Sequence, residues 1–400
     1  MKLSSRIYKY LSSDSLHLKC ETPNVESWEL FLKSLPVANN AVERAHNKYL
    51  CWLFYFSAKK RILFNFAGFI CMLIEFPLLL ISYRKNSQFI NNMLVIEKHN
   101  EVGYESVIPE EFFHKFDEVK VIDNIDNKFG FVSKESRQYV LACIRKYPTD
   151  FFFHYFICKE LIAHDLILGK FMPEAVAVYV NERNVATPIL KEIYEQQGRK
   201  LLSFMHGEYL LNILQAYMSF SEYYVWDASY VESFNNFLRC DIDHYRVYTP
   251  KKLEKKWNLE NIQPKYMYTY YFSNDDEETV RIIAKIFSNL QKKSINCKVR
   301  PHPRFMKCVI DNSDLFENVF IEQPSEVSLE ESLGNTAFAV GLFTTVLFEA
   351  EIEGRSIIID DISNRVLFES LVARRARILT HKFQTLSSVI KFYNISRKEL

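Results

Sequence analysis

The feature of this sequence that most constrains its fold is an alternation of short apolar runs with helical segments. Runs such as Met93–Glu97 and Ala175–Val180 are apolar at nearly every position, which is typical of strands buried on both faces of a parallel sheet. The segment between 136 and 146 has the mixed polarity of a surface helix. The pattern predicts an α/β fold in which strand, helix and strand follow one another.

The alternation occurs twice, on either side of a polar stretch at 251–264 that we interpret as a linker. Four hundred residues also exceed what one compact core usually holds. We therefore expect a GT-B-like pair of doubly wound Rossmann-like domains that face a cleft, with a helical N-terminal appendage. The expected ranges are 1–90 for the appendage, 91–262 for the N-terminal domain and 263–400 for the C-terminal domain.

The boundaries of single elements are clearest in the second half. Strands are predicted over 266–272, 297–300, 337–342 and 356–361, a helix over 277–292 and a last helix over 382–393. Ser328 has the capping-box spacing to Glu331, Thr344 is predicted to open a helix, and Gly354 is predicted to end it.

The balance of charge argues against a nucleic-acid partner. Fifty Lys and Arg residues stand against 49 Asp and Glu residues, so the formal net charge is +1, and no global field attracts a phosphate backbone. The eight cysteines are scattered without a C-x-x-C pair. The sequence therefore predicts neither a zinc site nor a disulfide framework, and it favours a cytoplasmic protein.

One apolar segment, 62–82, is long enough to cross a bilayer and has basic residues at both ends. Glu75 and Pro77 within it make a membrane span the least favoured interpretation. Two others stay open. The segment is either a helix at the membrane interface, which would hold the protein at the inner face of the cytoplasmic membrane, or a buried helical hairpin on the first domain.

The most informative loop follows the predicted strand 297–300 and reads Arg300-Pro-His-Pro-Arg304. Proline fixes φ and removes a backbone donor, so Pro301 and Pro303 on either side of His302 make the loop rigid. We predict that His302, between Arg300 and Arg304, donates to a phosphate or protonates a departing phosphate oxygen. The alternative is a histidine that only caps a loop.

Two further loops follow predicted strands. Thr344 and Thr345 stand at a helix start, where free N–H groups and the helix dipole favour a phosphate, and Glu349 one turn later is placed to accept from ribose hydroxyls. Asp275 and Asp276 follow the strand 266–272, and either is a candidate base for an acceptor hydroxyl. Ordinary helix capping is the alternative for both loops.

These loops are expected to converge. The carboxyl ends of parallel strands emerge on one edge of a sheet, so the acidic, His302 and Thr344 loops should face a single anion-binding cleft. His206 follows the predicted strand 201–204 of the first domain. It would face the cleft from the other side, and the alternative is a histidine with only a structural role at the end of a strand.

The order of motifs over 266–361 resembles that of a known group of enzymes. An acidic loop, a helix, a strand ending in His-Pro, and a Gly-x-x-Thr-Thr helix start with Glu-Ala resemble the bacterial sialyltransferases of the GT-B fold. They also resemble a wider set that includes capsular Kdo transferases and CDP-glycerol glycerophosphotransferases, whose Gln-His-Gly loop looks like Met205-His-Gly207. This sequence differs from the motif at two positions: Glu277 stands where the motif has glycine, and Thr344 stands where it usually has serine.

The resemblance implies an inverting, metal-independent glycosyltransferase without a cofactor, most simply a sialyltransferase that uses CMP-sialic acid. It implies that Asp275 or Asp276 is the base, that His302 meets the CMP phosphate, and that Thr344 with Thr345 binds phosphate. The acceptor would be a hydroxyl of a lipid-linked oligosaccharide such as O-antigen or lipooligosaccharide, and the last helix would cross back to the first domain. Two alternatives stay open: a Kdo or polyol-phosphate transferase of capsule biosynthesis, and a non-catalytic scaffold of a polysaccharide assembly complex.

Overall fold

The computed structural model describes residues 25–81, 91–98, 104–123, 132–179, 182–206, 210–259, 261–379 and 383–395. The chain divides into two compact units, Met1–Lys251 and Lys252–Leu400. Each unit is built around one six-stranded sheet in which every strand pairing is parallel. The predicted α/β class with two doubly wound units is therefore confirmed.

The sheet of the first unit has the order β2-β1-β3-β4-β5-β6. Its strands are β1 (Asn91–Lys98), β2 (Glu118–Asp123), β3 (Pro173–Tyr179), β4 (Lys200–Phe204), β5 (Ser219–Val225) and β6 (Asp241–Val247). Its α-helices are α1 (Val25–Ser34), α2 (Ala41–Leu53), α3 (Ala58–Ile81), α4 (Glu110–Phe113), α5 (Lys134–Lys146), α6 (Phe151–Phe171), α7 (Thr187–Gln196) and α8 (Ser229–Glu232).

The N-terminal helices share the hydrophobic core of the first unit. Trp28 of α1 and Trp52 of α2 belong to the same buried cluster as the aromatic side chains at the start of α6. In that helix Phe152, Phe153 and Tyr155 are fully buried. From Phe152 to Phe156 this aromatic run is therefore part of the core.

Helix α3 covers most of the apolar segment 62–82, which the structure describes as far as Ile81. It is one continuous helix, so the hairpin interpretation is wrong. A Cβ on Gly68 would lie 2.4 Å from the backbone N and Cα of Phe152, so α3 and α6 touch backbone to backbone. Within the described ranges, no helix has both the length and the apolar character needed to cross a membrane.

The sheet of the second unit has the order β12-β11-β10-β7-β8-β9. Its strands are β7 (Tyr266–Tyr271), β8 (Cys297–Arg300), β9 (Phe320–Ile321), β10 (Thr336–Gly341), β11 (Ser356–Ile359) and β12 (Gln384–Thr385). Its α-helices are α9 (Glu277–Lys292), α10 (Met306–Asp311), α11 (Leu329–Gly334), α12 (Thr345–Ile352), α13 (Arg365–Ala373) and α14 (Leu386–Phe392).

The predicted capping residues of the second unit are confirmed, whereas the last helix, predicted over 382–393, runs only from Leu386 to Phe392 because Gln384–Thr385 form strand β12. The Ser328 hydroxyl accepts from Glu331 N–H at the start of α11, and Thr344 is the N-cap of α12. Gly354 follows α12 with φ +78°, a left-handed conformation that favours glycine. Helix α14 buries Leu386, Val389 and Ile390 in the core of the second unit, whereas the resemblance had implied a helix that returns to the first.

The described residues of the polar stretch 251–264 form neither an α-helix nor a strand, and part of the stretch is held by the second unit. The Glu353 carboxylate accepts from the backbone N–H groups of Lys256 and Trp257. The Arg355 guanidinium donates to the carbonyl oxygens of Leu259 and Ile262. These contacts agree with a division between the units at Lys251.

Candidate functional site

The sheet of the second unit changes direction between β10 and β7. From β7 the chain moves to β8 and β9 on one side, and it then crosses back to β10, β11 and β12 on the other. Open α/β sheets bind ligands in the crevice outside the carboxyl ends of the strands at such a switch point. The acidic loop after β7 and the Thr344 loop after β10 flank this crevice, and the His302 loop follows the next strand, β8.

Backbone hydrogen bonds keep these strand ends level. Phe272 N–H donates to Arg300 O at 3.0 Å, which joins the end of β7 to the end of β8. Asp360 N–H donates to Gly341 O at 2.8 Å, which joins the ends of β11 and β10. Adjacent strands lie about 4.8 Å apart. The three loops that the sequence singled out therefore leave the sheet side by side on one edge.

The loop after β8 fixes the tautomer of His302. Arg304 N–H donates to His302 Nδ1 at 3.1 Å, so Nδ1 carries no proton and Nε2 carries the hydrogen. Burial and the Arg304 guanidinium both lower the pKa of His302. The ring also packs on Phe305, with 5.1 Å between ring centroids. The side chain is thus a neutral imidazole whose Nε2–H is a donor.

Of the two arginines in this loop, only Arg304 is exposed. The Arg300 guanidinium is buried, and it donates to Glu322 Oε1 at 2.7 Å and to Val327 O at 2.9 Å. The Lys298 ammonium, fully buried, donates to the same Glu322 carboxylate. Arg300 therefore forms part of a buried ion cluster under the loop, and the sequence analysis missed Glu322, its partner.

The two aspartates after β7 have different environments. Asp276 is exposed, and its Oδ1 accepts from Thr279 N–H at 2.9 Å as the N-cap of α9. Asp275 is half-buried, and its Oδ2 accepts from Ser273 N–H at 2.5 Å. Burial, followed by the charges of Asp360 and Asp276, raises the pKa of Asp275.

Asp360 is a buried carboxylate at the end of β11 that the sequence analysis missed as a site residue. It accepts from Tyr270 Oη at 2.8 Å and from the backbone N–H groups of Ile362 and Ser363. The available signal was an aspartate directly after an apolar strand. Its charge acts on Asp275 across the sheet edge and favours the protonated form of that group.

The Thr344 loop combines a helix start with a half-buried acid. Thr344 is buried, and its hydroxyl accepts from Val346 N–H at 3.4 Å, while the side chain of Thr345 is exposed. Glu349 lies one turn along α12 with its Oε2 3.8 Å from Lys256 Nζ. Burial raises the pKa of Glu349 although Lys256 opposes the shift.

His206 lies on the corresponding edge of the first unit, after β4. Its Nδ1 is 3.6 Å from Oε1 of Glu182, which is buried after β3 and was not predicted. Trp226 Nε1 and Tyr248 Oη donate to the carbonyl of Met205, the residue before His206. The structure thus places an imidazole beside a carboxylate at this edge. Across the described part of the chain, no three His, Cys, Asp or Glu side chains are grouped to hold a metal ion.

No family model and no curated protein matches this chain. Solved structures that it resembles include the apo form of the lipopolysaccharide outer core galactosyltransferase WaaB, with 12% identity, a TM-score of 0.39, and 74% of this chain and 93% of that chain covered. UDP-GlcNAc 2-epimerase from Methanocaldococcus jannaschii has 14% identity and a TM-score of 0.37, and the match covers 70% of this chain and 92% of the epimerase chain. A glycosyltransferase from Rickettsia africae has 11% identity and a TM-score of 0.37, and the match covers 68% of this chain and 80% of that chain. Similarity at this level assigns no activity to the chain.

Proposed function

We propose that this protein is an inverting glycosyltransferase that moves a sugar from a CMP-activated donor, most simply CMP-sialic acid, to a hydroxyl of a surface glycan. The observation that carries the proposal is the common sheet edge of the second unit, where the Asp275 loop and the Thr344 helix start flank a topological switch point and the His302 loop follows the next strand. A general base, a neutral donor and a helix N-terminus are the groups needed to activate a hydroxyl and hold a phosphate.

The proposed reaction is a direct displacement. The Asp275 carboxylate takes the proton of the acceptor hydroxyl, whose oxygen forms the new bond to the anomeric carbon. The bond from that carbon to the phosphate oxygen of CMP breaks, and the electron pair leaves with the phosphate. Hydrogen bonds from His302 Nε2–H and from the start of α12 stabilise the leaving group. The proposed mechanism uses neither a metal ion nor a cofactor.

The contacts of the two aspartates favour Asp275 as the base. Asp276 already accepts the N-cap hydrogen bond of α9, and protonation of its carboxylate by the acceptor would weaken that hydrogen bond. The raised pKa of Asp275 makes its carboxylate a stronger base than an ordinary aspartate. Exposed Arg304 replaces Arg300 as the cation proposed to meet the phosphate, because the Arg300 guanidinium is engaged by Glu322.

For the remaining substrate groups the support is resemblance and position. We propose that Glu349 accepts from ribose hydroxyls, since it lies one turn beyond Thr344 and Thr345 on α12. We propose that the first unit binds the acceptor, a lipid-linked oligosaccharide, at the edge that carries His206. Work on such an acceptor would place the protein at the inner face of the cytoplasmic membrane.

A nucleotide panel tests the donor. CMP, UMP, GDP and ADP are compared by thermal shift on the purified full chain, because a ligand at 100 times its dissociation constant adds about 2.7 kcal/mol to the folded state. We expect stabilisation by CMP alone. CMP-sialic acid and CMP-Kdo then separate the two donors by turnover, whereas a preference for UMP or GDP excludes both.

His302→Ala tests the site. Loss of a single donor to a developing negative charge is expected to lower kcat by about 10²–10³-fold. The control is His244→Ala, an exposed histidine on β6 of the first unit, which should leave turnover unchanged. If the wild-type protein neither binds CMP nor turns over any CMP-sugar, and His302→Ala changes nothing, the non-catalytic scaffold replaces the enzyme.

A further inference from the structure

Helix α3 exposes an apolar stripe that faces away from its buried side except at one edge, where the Phe69 ring also packs on Phe151 of α6 with 5.0 Å between ring centroids. The stripe consists of six side chains whose exposed fractions run from 39% to 71%: Ile62, Leu63, Phe66, Phe69, Ile70 and Leu73. At about 100° per residue these positions fall within an arc of roughly 120°. Phe64, Gly68, Cys71 and Met72 occupy the opposite arc and are buried. Over its described side chains, α3 therefore has two apolar faces, and the first unit covers one of them.

An exposed stripe of this kind calls for a partner. Single exposed apolar residues are ordinary on protein surfaces, but a contiguous patch marks an interaction site. From Ile62 to Leu73 the stripe extends about 17 Å along the helix axis. It is therefore a straight and narrow surface that can lie flat on a plane.

The charges at the start of α3 indicate the chemical nature of the surface on which the stripe lies. Lys59 lies one turn before the stripe and near the middle of its arc, and Lys60 is adjacent, with both side chains exposed. Cations at a helix N-terminus oppose the helix dipole, so they weaken the helix that carries them. Basic residues beside an apolar helix face complement anionic lipid headgroups above an acyl layer.

We propose that α3 binds the surface of an anionic lipid bilayer. The stripe enters the boundary between headgroups and acyl chains, and Lys59 and Lys60 meet headgroup phosphates. Gly68 and its neighbours on the buried face keep the helix attached to the first unit, so the helix lies along the membrane and does not cross it. This surface adds a partner to the proposed function, and it does not depend on which nucleotide the second unit binds.

Cosedimentation of the full-length protein with vesicles tests the proposal. Vesicles of phosphatidylcholine are compared with vesicles of equal parts phosphatidylcholine and phosphatidylglycerol, in the absence of nucleotide and sugar. We expect binding to the anionic vesicles. Lys59→Gln/Lys60→Gln should weaken it about fivefold per lysine, or roughly 25-fold. Leu63→Ser/Phe66→Ser should weaken it on the order of 100-fold.

Matched controls distinguish binding through this surface from non-specific adsorption of the protein to vesicles. Leu30→Ser/Val37→Ser removes two apolar side chains that are 62% and 78% exposed elsewhere on the first unit, and Lys134→Gln removes an exposed lysine at the start of α5. Both should bind vesicles like the wild type. In Phe66→Trp, the tryptophan emission should shift to the blue when anionic vesicles are added.

Three results would overturn the proposal: no vesicle binding by the wild type, equal binding by all variants, or a tryptophan emission that does not move. Sedimentation velocity adds a further outcome, because a dimer that Leu63→Ser/Phe66→Ser abolishes, without lipid binding, would assign the stripe to a second copy of the chain. CMP thermal shifts on the same variants should equal those of the wild type. Failure of the lipid proposal is therefore distinguishable from failure of the donor proposal.

Discussion

Replacing Glu322 by glutamine should destabilise the second unit by about 3–5 kcal/mol, because it leaves two buried cations without a counter-charge. Glu322 is 2% exposed, and its carboxylate accepts from both Arg300 and Lys298. Burial alone would raise the pKa of Glu322, but hydrogen bonds from Lys298, Ser332 and Arg300 outweigh burial and lower it. The fold thus holds the ionised form, and glutamine has nearly the same shape without the charge.

Urea unfolding of the full-length protein, followed by circular dichroism, measures the effect. With a slope of about 2 kcal/mol per molar urea, the expected loss moves the midpoint of the second unit down by roughly 1.5–2.5 M. Two units can give two transitions, so each is fitted separately. The stabilisation from Glu322 is present above its pKa in the unfolded chain and is lost as the pH falls, so the gap between wild type and variant should narrow in acid.

Glu317→Gln is the control. Its carboxylate is 3.6 Å from Lys292 Nζ, and both side chains are well exposed, so the loss should stay within about 0.5 kcal/mol. If Glu322→Gln costs no more than this control, the ion cluster does not hold Arg300. In that case the guanidinium is free to bind a phosphate, as the sequence alone suggested, and the choice of Arg304 is refuted.

Three further predictions follow from other contacts. Asp275→Asn should lower sugar transfer about 10²–10⁴-fold in a donor-turnover assay, whereas Asp276→Asn should leave transfer nearly intact and weaken the α9 cap by no more than about 1 kcal/mol. Burial raises the pKa of Asp165 from 3.8 to about 6, so stability should fall by about 3 kcal/mol as the pH rises between these values; Asp165→Asn should remove this slope in urea midpoints measured across pH. Gly68→Ala should destabilise the first unit by roughly 1–3 kcal/mol in the same unfolding assay, because its Cβ would meet the α6 backbone.

The sequence predicted those parts of the fold that depend on local periodicity. The predicted helix 277–292 coincides with α9 because Val280, Ile283, Phe287 and Leu290 recur at helical spacing and all become buried. Strand β6 was missed since it lies at the sheet edge, where polar residues such as Asp241, Asp243 and His244 are tolerated. Its alternation of charged and apolar residues does not resemble the other strands.

The sequence predicted that the three loops share one sheet edge, because that follows from parallel strands. It did not predict the contacts between side chains of different strands. Glu322 pairs with Arg300 across two neighbouring strands, and β9 is only two residues long, so no local pattern marks it. Asp360 does follow an apolar strand directly, but its effect on Asp275 depends on the lateral order of the strands, which no local pattern specifies. The tautomer of His302 follows from the backbone conformation of its own loop, which the prolines favour but do not specify.

The backbone contact at Gly68 has a consequence for the orientation of α3. A helix that packs through ordinary side chains can roll about its axis by exchanging one ridge for the next, but a contact that admits no Cβ permits a single rotational setting. Bringing Phe69 to the same point would force the two helix axes apart. The direction in which the six exposed side chains point is therefore fixed by the absence of a Cβ at Gly68, where a methyl group would force the two backbones to shift.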